Sequence, residues 1–86
     1  MQEKTLVIKN STGLHARPAS MLVNKARAFE SRVTLEKDGK TVDAKSILGI
    51  MGMAISQGST VTIRAEGTDE EKAIEELATY LEQLEE

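Results

Sequence analysis

The chain has 86 residues, a length that suits one compact domain over residues 1–86 with a modest core and no deep cleft under its own lid. A hydrophobic fraction of 40% and a charged fraction of 29% disfavour disorder, while the absence of cysteine removes disulfides and thiolate metal sites and makes the reducing cytoplasm the expected home. The net charge of −3 is uneven, with ten Lys or Arg against six Asp or Glu in residues 1–66 and one against eight in residues 67–86, and Phe29 and Tyr80 are too few aromatics to stack nucleic-acid bases.

The opening MQEKTLVIKN carries charges where a signal peptide would be apolar. The longest apolar run, Ile47 to Ile55, is less than half of the roughly 20 residues that a membrane span needs. Leu6 and Ile8 alternate with Val7 and Lys9, which predicts a strand with one buried face, and Asn10 to Gly13 supply turn residues. Ala19, Leu22, Val23, Ala26 and Phe29 then recur at spacings of three and four, predicting a helix. Pro18 belongs in its first turn, where a missing N–H costs nothing, so the helix starts near Ala16 with His15 at its N-terminus.

Val33 and Leu35 alternate as a second strand, and Lys37-Asp38-Gly39-Lys40 has hairpin-turn chemistry leading into a short third strand through Val42. Ser46 is placed to cap a short helix from about Ile47 to Met53, with Ile50 and Met53 facing inward. Gln57-Gly58 turns the chain, and Val61, Ile63 and Ala65 alternate as a fourth strand. Thr68 and Glu71 fit a capping box that opens a last helix, with Ile74, Leu77, Leu81 and Leu84 as its apolar stripe and Ala73 and Ala78 at its edge. The order β-α-β-β-α-β-α implies an α+β fold, an antiparallel sheet covered on one side by helices.

His15 is the only histidine of the chain, and without cysteine or carboxylates at ligand spacing it makes no metal site. A lone histidine is more often a surface or capping residue than a reactive one, but its neighbours favour reactivity. A helix N-terminus offers free backbone N–H groups and partial positive charge, here from Ala16 and Arg17, and the Arg17 guanidinium adds donors suited to phosphate oxygens. That environment disfavours a second positive charge on the ring, so a neutral, nucleophilic imidazole beside an anion cradle is the expected arrangement. It is chemistry for accepting a phosphoryl group.

The stretch TGLHARPAS resembles the phosphorylation-site motif of HPr, the histidine-containing phosphocarrier of the bacterial phosphoenolpyruvate-dependent sugar phosphotransferase system. KSILGIMGMAISQGSTVTI resembles its second signature, around a regulatory serine. The resemblance covers essentially the whole chain. It implies an open-faced β-sandwich, four antiparallel strands under three helices, and a stoichiometric carrier that needs no cofactor. His15 would take the phosphoryl group at Nδ1 from phosphorylated Enzyme I and hand it to IIA domains of sugar permeases, assisted by Arg17 and the backbone amides of Ala16 and Arg17.

No departure from the motif occurs at His15, Arg17 or Pro18, which excludes the close catabolite-repression paralogue in which the histidine is replaced. Ser20, Asn24 and Arg27 fall at spacings of four and three and extend the surface that begins at Arg17. Thr12, Ile47, Leu48 and Met51 complete the expected partner surface. For Ser46 the resemblance implies phosphorylation by an HPr kinase/phosphorylase and recognition by a catabolite-control repressor. A protein working chiefly through Ser46, and a nitrogen-related phosphotransfer branch, stand as alternatives. Nothing in the sequence demands more than a monomer, nor direct contact with nucleic acid or membrane.

Overall fold

The computed structural model describes residues 1–85. Its elements follow the expected order: β1 (Gln2–Val7), α1 (Ala16–Arg27), β2 (Arg32–Lys37), β3 (Lys40–Asp43), α2 (Ile47–Gly52), β4 (Thr60–Glu66) and α3 (Glu70–Glu82). The four strands form one antiparallel sheet in the order β1-β4-β2-β3. Period-two alternation sorts its faces. Leu6, Val33, Leu35, Val61, Ile63 and Ala65 are buried under the helices. On the bare face Thr5 and Thr62, opposite one another in the register, join hydroxyls at 2.8 Å, and Arg64 binds Glu3 at 2.8 Å and also Glu36.

The helices supply the other half of the core. Ala19, Leu22, Val23 and Ala26 of α1, Ile50 of α2, and Ala73, Ile74, Leu77, Ala78 and Leu81 of α3 are buried. The β2–β3 hairpin turns at Asp38 and Gly39, with φ of 52° and 81°, the pair of positive values that a two-residue turn of matching twist requires. Met53 is the residue that ends α2 rather than its last helical residue, and Leu84 lies beyond α3, half-buried against the core.

The start of α3 departs from expectation. Thr68 and Glu71 do not form the capping box: the N-cap is Asp69, and the Glu70 carboxylate accepts the Gly67 N–H at 3.1 Å. The Asp69 carboxylate reaches across the fold instead. It accepts the backbone N–H groups of Glu30 and Ser31 at 2.8 and 3.0 Å and the Ser31 hydroxyl at 2.5 Å. The letters of the box are present, but the N-cap lies one residue later than they imply, at Asp69, whose carboxylate binds residues 38 and 39 positions away. Gly67 is needed there, since a Cβ would lie 2.7 Å from Ser31 Cα and its φ is +154°.

Candidate functional site

The segment between β1 and α1 is pinned at several points to the loop between α2 and β4. Ile8 donates to Ser59 O at 2.9 Å and its carbonyl accepts from Gly58 N at 2.7 Å. Gln57 Nε2 donates to Lys9 O at 3.0 Å, and Leu14 N donates to Ile55 O at 3.0 Å. Gly13 sits where only glycine fits: φ is +63°, and a Cβ would stand 2.4 Å from Ile55 O and 2.7 Å from Ser56 Cα. Buried Leu14 completes the anchor and delivers the next residue to the surface.

That residue, His15, is the N-cap of α1, with extended backbone (φ −72°, ψ −177°) and no capping bond from its side chain. Its carbonyl accepts Ala19 N at 3.0 Å, the first bond of the helix. By helix geometry the N–H groups of Ala16 and Arg17 have no acceptor inside α1, and Pro18 has no N–H to offer. The first turn thus presents two amides and one exposed guanidinium, with no acidic residue in that turn to compete for them. Thr12, His15, Arg17, Pro18, Met21, Tyr80, Leu84 and Glu85 line a shallow cavity of about 320 Å³. The Tyr80 hydroxyl donates to Pro18 O at 3.2 Å, tying α3 to the first turn of α1, and burial pushes that phenol's pKa up. Among the described residues no cluster of His, Asp and Glu could hold a metal ion.

The remaining expected residues lie along α1 and on α2. Ser20, Asn24 and Arg27 are exposed, and Arg27 Nη2 donates to Lys45 O at 3.3 Å. Ser46 is the N-cap of α2, its hydroxyl oxygen accepting from Gly49 N at 3.1 Å. Ile47 and Met51 are partly exposed and Leu48 is 83% exposed, while Ile50 and Met53 point inward, as their spacing predicted. Lys37 Nζ donates to the carbonyls of Met53 and Ala54 at 3.2 and 3.1 Å, closing the far end of α2. His15 lies at the start of α1, and Arg27 in its last turn donates to the carbonyl of Lys45, the residue before Ser46.

Sequence reasoning missed Asn10, Met21 and Tyr80 as members of this region, and the support given by residues 55–59. Asn10 is buried; its Nδ2 donates to Thr12 Oγ1 at 3.3 Å and to Gly13 O at 3.0 Å. An asparagine next to Ser-Thr-Gly reads as turn chemistry, and nothing local marks it as buried.

The model of the PTS-HPr family, described as the PTS HPr component phosphorylation site, matches residues 2–83. HPr-like protein Crh of Halalkalibacterium halodurans is 50% identical over 82 residues, which are 95% of this chain and 98% of that protein. The crystal structure of HPr-C-His from Thermoanaerobacter tengcongensis is 54% identical with a TM-score of 0.92, over 95% of this chain and 92% of that one. Crh of Bacillus subtilis, in a crystal structure described as a dimer with a swapped domain, is 48% identical with a TM-score of 0.78, over 96% and 95% of the two chains. Fold and comparisons together define a small phosphocarrier protein. The chain belongs to the PTS-HPr family.

Proposed function

We propose that this protein carries phosphoryl groups on His15, accepting them from phosphorylated Enzyme I and passing them to IIA domains of sugar permeases in the cytoplasm. One observation carries the reading: His15 caps α1 through its backbone alone, which leaves the imidazole uncommitted beside the amides of Ala16 and Arg17. In the forward step the lone pair of Nδ1, the atom that the family resemblance implies, attacks phosphorus. The new N–P bond forms as the donor's bond to phosphorus breaks, and its electron pair stays with the donor. Arg17 and the two amides neutralise charge on the transferring oxygens. Transfer to the acceptor reverses the step, so the protein is a stoichiometric carrier rather than a turnover catalyst. Incubation with phosphoenolpyruvate and Enzyme I should give acid-labile, alkali-stable phosphate on the wild type and none on His15→Ala; label retained in His15→Ala overturns the reading.

A second reading makes the protein a regulatory partner that acts through Ser46, and the name of its curated relatives, HPr-like protein Crh, favours it. It predicts acid-stable phosphate formed with ATP and an HPr kinase/phosphorylase, and tighter binding of that form to a catabolite-control repressor. A phosphate at Ser46 would set a dianion beside Ile47 and Leu48, where docking of Enzyme I requires desolvation. Ser46→Asp should therefore slow transfer from Enzyme I, and unchanged kinetics would exclude this role. The presence of His15 places the carrier reading first. A monomer suffices for the carrier, because His15, Arg17 and the amides of Ala16 and Arg17 all belong to one short segment of one chain.

A further inference from the structure

Asn10 is 7% exposed, and its carboxamide oxygen is buried without a hydrogen-bond partner among the described residues. A buried acceptor left unpaired is costly, so the two bonds donated by the same side chain need a purpose that an apolar residue could not serve. Turning the amide over would not help. Its oxygen would then face the Gly13 carbonyl, acceptor against acceptor. The orientation in which Nδ2 donates to Gly13 O and Thr12 Oγ1 is therefore set by chemistry.

The bond to Thr12 has a consequence for the site. A hydroxyl has one proton and two lone pairs, and the Thr12 oxygen is held as an acceptor by Asn10, which leaves its proton to be given elsewhere. Among the described residues the Thr12 hydroxyl is bonded by Asn10 and lies at the surface, where its proton can turn toward a bound group. Thr12 is exposed and lines the same cavity as His15 and Arg17. A phosphoryl group on His15 brings strong acceptor oxygens into that cavity.

We propose that Asn10 is a positioning residue for phosphoryl transfer, holding the Thr12 hydroxyl as an acceptor so that its proton is donated to a phosphoryl oxygen on His15. The proposal rests on the carrier reading. Asn10 never touches the phosphoryl group; it fixes which way a neighbouring hydroxyl points, and through the Gly13 carbonyl it holds the turn that carries Thr12.

The test is single-turnover transfer from phosphorylated Enzyme I, with the phosphorus NMR signal of the phosphohistidine, for wild type, Thr12→Val, Thr12→Ser, Asn10→Ala and the Asn10→Ala/Thr12→Val double variant. Loss of a hydrogen bond to a charged group should slow transfer by about tenfold in Thr12→Val, while Thr12→Ser, which keeps the hydroxyl, stays within about twofold of wild type. Asn10→Ala should slow transfer in the wild-type background and have little further effect once Thr12 is valine, because both changes remove one interaction. Both single variants should move the phosphorus resonance in the same direction. An Asn10→Ala effect of equal size in both backgrounds would mean a merely structural role and overturns the proposal. If Asn10→Ala does not fold, Thr12→Val against Thr12→Ser decides, and a Thr12→Val protein as fast as wild type overturns it. A wild type that takes no label on His15 overturns the carrier reading instead, and that result is read before any variant is compared.

Discussion

Of the glycines, Gly13 leaves the least room for a side chain, since a Cβ would stand 2.4 Å from the Ile55 carbonyl oxygen, and it lies two residues before His15. Gly13→Ala would combine a left-handed backbone with a clash that only a backbone shift relieves, so it should cost about 2 kcal/mol or more in urea unfolding and slow transfer as well. Asp69 is the residue through which acid should act. Its carboxyl is held below its ordinary pKa by the Ser31 hydroxyl first and the Glu30 N–H next. A group whose folded pKa is depressed contributes stability that is fully present above the unfolded value and lost as pH falls through the folded one. Lowering the pH below about 4 should therefore reduce the urea midpoint, and the fall should be shallower in Asp69→Asn, which starts less stable. Equal slopes in the two proteins would show that other carboxylates carry the acid response.

Among the elements, α2 shows most clearly a division between inside and outside. In six residues it buries Ile50 completely and leaves Leu48 83% exposed. Ile50→Ala should cost roughly 2–5 kcal/mol. Leu48→Ala should change stability by less than about 0.5 kcal/mol yet weaken transfer from Enzyme I, mainly through KM, which steady-state kinetics would separate. This split was legible in the sequence, as were the start of α1 at Ala16 and the turn at Asp38-Gly39. Each rests on spacing or turn chemistry within a few residues. What was not legible depends on partners far along the chain. Thr68 and Glu71 have the letters of a capping box, but Asp69 is spent on Ser31, and no local pattern announces that bond. Asn10 likewise reads as a turn residue until the segment is seen folded onto residues 55–59, which buries it. The place of His15 at the start of α1 was legible too, because Pro18 and the apolar spacing that follows mark where the helix begins.

Taken whole, the molecule is one-sided. The bare face of the sheet is polar apart from Val7, with paired threonines and the Glu3–Arg64–Glu36 cluster. Met21, Ile47, Leu48 and Met51, the other large exposed apolar residues beyond the N-terminal Met1, all lie on α1 and α2 with His15. The exposed cations Arg17 and Arg27 border the same region, while acidic residues crowd the last 20 positions. A partner that docks there should be acidic, and raising salt from low to physiological levels and beyond should lower its association rate by roughly tenfold while dissociation changes less. Stopped-flow binding with Enzyme I at several ionic strengths would measure both. On the carrier reading, donor and acceptor would both dock on this region around His15 and so take turns on it. Each delivery would then require a departure, and a partner that gripped too tightly would be a brake on the traffic it serves.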